Sequence, residues 1–428
     1  MKKIIQFKLK ILAKLILKKY QPKIIGISGS VGKTSSKEAI YAVLKNHYKV
    51  RRSLKNYNNE IGLPLSIIGE ETQGHSILGW IAVFLHAFNL ILFKDKNYPE
   101  ILILEMGIDS PGDMDYLNSI VKLDIAILTL IGLVHVAQFN SHEDLIKEKG
   151  KLFNNLKKDA WAIFNLDDDK QENILKNISG KKISYGFNEN AQMEAKNIKF
   201  FYNENNNYKK RGISFQLKYE DRDVDVFLPD ILSSNMIYSA LVGASVAVAL
   251  NLSLEDIAKD LFYFQTPPGR LKIIKGIKNT LIIDDTYNSE PHSSLSALYV
   301  LSNFFIEEQA QRFAVLGDML ELGSYSVESH KNLGQKVFEL GIDKLICVGE
   351  RSLDIKKGAI DAGMSFDDIY HFDNSDEAKS FLQDRIKTGD LILVKGSQGM
   401  RMEKIVKEIM ADPLRASELL VRQGEGWQ

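Results

Sequence analysis

A chain of 428 residues is long enough for two or three domains with a large buried core. Fifty-five basic residues balance 55 acidic ones, which excludes a generally basic nucleic-acid binder. One cysteine, Cys347, excludes a disulfide framework and a cysteine-based zinc site, and suits a reducing cytoplasm.

The start of the chain is strongly basic. Lys2, Lys3, Lys8, Lys10, Lys14, Lys18, Lys19 and Lys23 all precede the first acid, Glu38. Ile4, Ile5, Leu9, Ile11, Leu12, Leu15 and Ile16 lie between them at roughly helical spacing, so residues 1–22 are predicted to form a basic amphipathic helix. No small-residue cleavage site follows, which argues against a secretory signal. Such a helix either makes peripheral contact with the inner face of a membrane or docks on its own domain with its lysines in water.

KIIGIS reads as a buried strand, GSVGKTS as a glycine-rich turn and KEAIYAVLK as a helix. Ser76–Phe93 is almost wholly apolar, interrupted by His86 and Asn89 and ended by Lys94. At ~1.5 Å per residue it only just reaches a bilayer's width, so it is expected to be an interfacial, buried or partner-binding helix. ILILEMG, DIAILTL and WAIFNLDDD are further strands, with helical patterns around Asp113–Ser119 and His142–Asn154 between them. That alternation predicts an α/β fold with a mostly parallel sheet covered on both faces.

From about Lys181 to Asp230, ISYGF, ISFQLKY and VDVFLP alternate apolar with polar, suggesting a small antiparallel appendage. Helices follow at Met236–Leu250 and Leu254–Phe264, and QTPPGR is the linker candidate. Beyond it TLIIDD, RFAVLGDM, KLICVGE and DLILVKGS restart the rhythm as a Rossmann-like carboxy-terminal α/β domain. The expected organisation is a basic segment 1–22, a central P-loop domain 23–265 carrying the apolar insertion 76–93, and a second domain 270–428.

The run from Gly26 to Ser35 lies between a strand and a helix. Backbone N–H groups of Gly29, Ser30, Gly32, Lys33, Thr34 and Ser35 would cradle phosphate oxygens together with the helix N-terminus. Lys33 would meet the β- and γ-phosphates and the Thr34 hydroxyl a Mg²⁺ ion, which implies ATP or GTP. Strict spacing wants glycine where Ile27 stands; the glycine is at 26. Glu105, at the end of ILILE, stands where a P-loop site holds a second metal contact. His135 follows the strand DIAILTL, and a lone histidine is more often structural than a ligand. Lys149, in KEKGKLF, is by itself an ordinary surface cation.

Together these motifs resemble the Mur ligases, ATP-dependent amide-bond ligases of peptidoglycan precursor synthesis, and among them the D-alanyl-D-alanine-adding branch. GISGSVGKTS, NYNNEIGLPL, LEMGIDSPGDMDYL, EKGKLF, FNLDDD, PPGR, IIDDTYNSEP, VLGDMLELG and VKGSQGMRME carry the resemblance over about residues 23 to 410. It implies that ATP phosphorylates the end carboxylate of a muramoyl-tripeptide and that the amine of D-alanyl-D-alanine attacks the acyl phosphate. It implies two Mg²⁺ ions, one held by Thr34 and Glu105, the other by His135 and by Lys149 carbamylated with CO₂. Lys33, His135 and Lys149 would serve catalysis, and Asn59, Arg270, Asp285 and Asn288 would contact the nucleotide. Asp318, Glu321, Lys395, Ser397 and Arg401 would line the amine-substrate side.

The family usually opens with a UDP-sugar-binding domain, whereas 25 residues precede Gly26 here. A partner protein or the membrane is therefore expected to present the acceptor. Leu130, Ala137, Ser233–Ser239 and Glu290 depart from the family pattern, and leave open a nucleotide-binding scaffold that has lost catalysis.

Overall fold

The computed structural model describes residues 2–53, 57–74, 76–132, 139, 141–171, 174, 178, 180–202, 211–320 and 322–424. It divides into two compact units. One comprises Met1–Lys199, Ser214–Leu228 and Ser234–Gln265; the other comprises Phe200–Ile213, Pro229–Ser233 and Thr266–Gln428.

The first unit begins with helix α1 (Lys2–Tyr20), strand β1 (Lys23–Ser28) and helix α2 (Lys33–Leu44). Strand β2 (Val50–Arg52), helices α3 (Gly62–Ile68) and α4 (Ile77–Leu92) and strand β3 (Ile101–Glu105) follow. Helix α5 (Asp113–Asn118), strand β4 (Leu123–Leu128), helix α6 (His142–Gly150) and strand β5 (Leu156–Asn165) complete the motif-bearing part. Next come β6 (Lys181–Gly186), β7 (Met193–Tyr202), β8 (Arg211–Tyr219) and β9 (Arg222–Pro229), then helices α7 (Asn235–Ala249) and α8 (Leu254–Leu261).

The nine strands form one sheet in the order β2-β3-β1-β4-β5-β6-β7-β8-β9. β1 lies parallel between β3 and β4, and every residue of β3 and all but the first of β1 are buried. Burial on both faces explains why these strands read as unbroken apolar runs. The segment expected as an appendage continues this sheet: β6 pairs parallel with β5, and β7 parallel with β6. Only the two residues Glu220 and Asp221 join β8 to its neighbour β9, so that pair is a hairpin.

On one face, α7 packs against α2, so closely that a Cβ at Gly243 would lie 3.1 Å from the Ala39 backbone. Elsewhere in the unit Leu9, Leu12, Ala13 and Ile16 of α1 join Val83, Ala87 and Leu90 of α4 and Leu102 and Leu104 of β3 in one core. No described helix is long and apolar enough to cross a membrane.

The second unit has β10 (Lys272–Lys275), β11 (Leu281–Asp285), β12 (Arg312–Gly317), β13 (Lys344–Val348), β14 (Ile369–Phe372) and β15 (Leu391–Lys395). They form a six-stranded sheet in the order β10-β11-β15-β12-β13-β14, parallel except for β10. The carboxyl ends of β11, β15 and β12 therefore lie side by side, the usual place for a ligand site in such a sheet.

Candidate functional site

The phosphate loop leaves β1 at Ser28 and enters α2 at Lys33. Gly29 has φ +140° and Gly32 φ +93°, values that L side chains rarely adopt. A Cβ on Gly29 would also sit 2.0 Å from Thr129 Oγ1, so glycine is required there twice over. The loop is fastened to the end of β4: Ser30 N donates to Leu130 O at 2.8 Å, and Thr129 N and Oγ1 donate to Ser28 O at 2.8 and 3.1 Å. Gly26 does not belong to the loop. It lies within β1, where a Cβ would meet Leu123 and Met106, so its glycine serves packing and not phosphate contact.

Two lysines converge on one carbonyl. Lys33 Nζ donates to Gly29 O at 2.6 Å and to Ser30 O at 3.3 Å. Lys149 Nζ, carried by α6, donates to the same Gly29 O at 3.2 Å. Lys149 is buried, not the surface cation its local sequence suggests. Burial, and then the nearby Lys33 charge, push its amine down to about 7. Lys149 is held there by its neighbour Glu148, whose Oε1 accepts from Gly112 N and Met114 N at 3.0 Å each. Glu148 Oε2 meets Lys151 at 2.7 Å. The EKGKLF segment is thus tied to the start of α5.

Glu105 ends β3 and is buried. Its Oε2 lies 3.4 Å from Thr34 Oγ1 and its Oε1 lies 2.9 Å from Lys37 Nζ. Lys37, also buried, donates to Ser53 O at 2.9 Å. It stands one helical turn beyond Lys33, a spacing that could have drawn notice in the sequence. The hydroxyl of Thr34 and the carboxylate of Glu105 are hard oxygen donors of the kind Mg²⁺ takes alongside phosphate oxygens and water. Ser28 Oγ is buried and has no hydrogen-bond partner among the described residues, a further polar atom open to a ligand. The residues present therefore fit a magnesium nucleotide. Asn59 Oδ1 accepts from Ile61 N at 3.2 Å and Gly62 N at 2.9 Å, shaping the entry to α3. His135 and Glu321 lie outside the described residues.

In the second unit two consecutive aspartates shape the PPGR turn. Asp284 accepts from Gly269 N at 3.0 Å and from Thr286 Oγ1 at 2.6 Å; burial pushes its carboxyl up to about 6. Asp285 accepts from Leu271 N at 3.1 Å and pairs with the buried Lys395 at 2.6 Å. The backbone on either side of Arg270 is therefore pinned, and its guanidinium lies 4.2 Å from the centre of the Tyr287 ring. Lys395 also donates to Asn288 O at 2.9 Å. Ser397 Oγ accepts from Leu320 N at 2.9 Å, and Asp318 Oδ1 accepts from Ser352 N at 2.8 Å. Asp285, Asn288, Lys395, Ser397 and Asp318 thus gather at the ends of adjacent strands. Arg401 turns to Glu403 at 2.7 Å, a carboxylate it shares with Arg422, which sequence reasoning passed over.

A phosphate loop with a strand-end acid in one α/β unit, followed by a Rossmann-like second unit, defines a two-part nucleotide-dependent ligase architecture. The chain belongs to the Mur ligase family. The Mur ligase middle domain model matches residues 27–78 and 86–229, and the Mur ligase glutamate ligase domain model matches 269–398. UDP-N-acetylmuramoyl-tripeptide–D-alanyl-D-alanine ligase of Bacillus subtilis is 29% identical over 94% of this chain and 79% of its own length. That of Buchnera aphidicola (Baizongia pistaciae) is 30% identical over 91% of this chain and 75% of its own length. Two solved MurF structures, each 26% identical, agree in fold. That from Acinetobacter baumannii gives a TM-score of 0.78 over 95% of this chain and 81% of its own. That from Thermotoga maritima, in complex with ADP, gives 0.72 over 94% and 83%.

Proposed function

We propose that this protein is an ATP-dependent, ADP-forming ligase that joins D-alanyl-D-alanine to a UDP-N-acetylmuramoyl-tripeptide in peptidoglycan precursor synthesis. The observation that carries the reading is the convergence of Lys33 and Lys149 on Gly29 O beside the Thr34–Glu105 pair. Two anions, a carboxylate and a triphosphate, must be brought together there against their repulsion. Lys33, held in place at the loop, supplies positive charge for this at low reorganisation cost.

The tripeptide carboxylate oxygen attacks the γ-phosphorus, the bond to the β-phosphate oxygen breaks, and ADP leaves. The amine of D-alanyl-D-alanine, in its neutral form, then attacks the acyl phosphate carbon. The C–N bond forms, the carbon–oxygen bond to phosphate breaks, inorganic phosphate departs with the oxygen gained, and the surplus amine proton passes to water. Phosphate leaves where an oxide could not. Lys33 binds and orients the transferred phosphoryl group, and the loop N–H groups from Gly29 to Ser35 hold its neighbours. Thr34 and Glu105 would hold one Mg²⁺; Lys149, once carbamylated, and His135 would hold a second. Bound there, magnesium supplies Lewis-acid stabilisation of charge on the phosphates. The depressed basicity of Lys149 supports the modification, because only a neutral amine adds to CO₂. Arg270 and Asn288 would serve the nucleotide. Asp285 supports Arg270 through the neighbouring backbone, and Lys395, Ser397, Asp318, Arg401 and Glu321 would lie on the amine-substrate side.

The reaction is placed in the cytoplasm. Peripheral contact of the basic amino-terminal helix with the inner membrane face, or a partner protein, would present the acceptor. The test is phosphate release by the purified chain, dependent on both the muramoyl-tripeptide and D-alanyl-D-alanine. Release that needs neither peptide, or no release at all, counts against the reading. Lys149→Ala should cripple turnover, with partial recovery on adding small carboxylates; an unchanged rate removes Lys149 from the site.

A further inference from the structure

Ligase chemistry leaves two segments without a task, the lysine-rich helix α1 and the apolar helix α4. In the structure they are neighbours. Lys19 Nζ donates to Leu90 O and Ile91 O at 2.9 Å each, and Tyr20 OH donates to Leu90 O at 3.0 Å. Lys8 Nζ lies 5.9 Å from the centre of the Phe84 ring. Both helices press one stripe into the same core.

Each also carries a second apolar stripe. At ~100° per residue, Ile4, Phe7, Ile11 and Leu15 fall on the side of α1 opposite the buried Leu9, Leu12 and Ile16. On α4, Leu78, Ile81, Leu85 and Leu92 fall opposite Val83, Ala87 and Leu90 in the same way. These eight outward side chains are 42–80% exposed. Clustered exposure of that kind on adjacent helices marks a docking surface, where scattered single residues would not.

Charge selects the occupant. Exposed Lys3, Lys14 and Lys18 flank the α1 stripe, and Lys94 follows α4; neither helix contains an acid. A second copy of the chain would bring lysines against lysines. A bilayer with anionic headgroups offers phosphates to the lysines and acyl chains to the apolar stripes. With 16 residues α4 is ~24 Å long, short of the ~30 Å hydrocarbon core, so it lies along the surface.

We propose that the outer face of α1 and α4 together is a docking surface for an anionic lipid bilayer. This deepens the membrane contact suggested above by naming both helices and the side chains that enter the lipid, and it does not depend on the ligase chemistry.

Co-sedimentation of the full chain tests it, with vesicles of equal parts phosphatidylglycerol and phosphatidylcholine against phosphatidylcholine alone. The parent should pellet with the anionic vesicles only, and less at high salt. L78S/L85S should bind ~10-fold or more weakly, from lost apolar burial. Lys14→Gln should bind ~5-fold more weakly. Both variants should melt, and release phosphate in lipid-free buffer, as the parent does, because none of these residues touches the phosphate loop. Parent protein left in the supernatant, equal pelleting on neutral vesicles, or either variant binding as the parent does would overturn the proposal. So would self-association in lipid-free buffer that L78S/L85S abolishes, which would give the face to a second copy. Failure of peptide-dependent phosphate release alone would sink the ligase reading and leave this one standing.

Discussion

Each unit of this protein places a carboxylate at the carboxyl end of a parallel strand and sets a buried lysine against it. Glu105 meets Lys37 at 2.9 Å, and Asp285 meets Lys395 at 2.6 Å. The two pairs look alike but differ in what the second carboxylate oxygen meets. Glu105 keeps its second oxygen 3.4 Å from the Thr34 hydroxyl, a loose approach that a cation can take over. Asp285 gives its second oxygen to Leu271 N at 3.1 Å, next to Arg270. Strand-end position alone does not make an acid a ligand. What the other oxygen is already doing decides.

Substitution at Glu105 should have the largest effect. Glu105→Ala should lower turnover ~1000-fold, about 4 kcal/mol in the barrier, while the fold persists; this is read by phosphate release across a magnesium titration. A rate within tenfold of the parent would place Glu105 with Asp285 as scaffold. Lys395→Met should act in the opposite way. It strands a buried carboxylate and costs ~3 kcal/mol of stability in urea, with no recovery on adding magnesium nucleotide. Lys37→Met should cost somewhat less, ~2 kcal/mol, and magnesium nucleotide should recover part of it, because a metal cation can replace the lost ammonium beside Glu105. Equal recovery in both lysine variants would mean that the two carboxylate–lysine pairs behave alike.

The smallest effect concerns Lys149. Its folded pKa, about 7, lies below the unfolded value near 10.5, so the unfolded chain takes the proton first as pH falls. Stability should therefore drop from pH 10.5 to 7 on this account and stay level below. Lys149→Met removes the penalty. It should be ~1–2 kcal/mol more stable than the parent at pH 7, with the gap closing towards pH 10.5, measured by urea midpoints across that range.

The parts of the site that were legible in the sequence are the local ones. A strand, a glycine turn and GKT sit within ten residues, and their geometry follows from backbone chemistry alone. Lys37 and Glu148 escaped notice because their roles exist only once distant segments meet: Lys37 lies between β3 and Ser53, and Glu148 at the start of α5. The resemblance assigns Asp285 to the nucleotide, whereas the amide it accepts from, Leu271 N, is visible only in the folded chain. Helix α1 was readable as a helix. Its pattern, though, holds two apolar stripes, and periodicity cannot say which of them meets the core. The segment after Lys181 alternates as an antiparallel sheet would, yet β6 and β7 extend the parallel one, because strand pattern reports which faces are covered and not the direction of the neighbour.

The burial of α1 has a practical consequence. Leu9, Ala13 and Ile16 are wholly enclosed, in the same interior that backs the phosphate-loop strand through Ile24. Cutting the chain after residue 22 would uncover that interior, so a truncated protein that aggregates or loses activity would report a broken scaffold. Purification handles belong at the far terminus, and engineering of the first helix should proceed by single outward-facing substitutions.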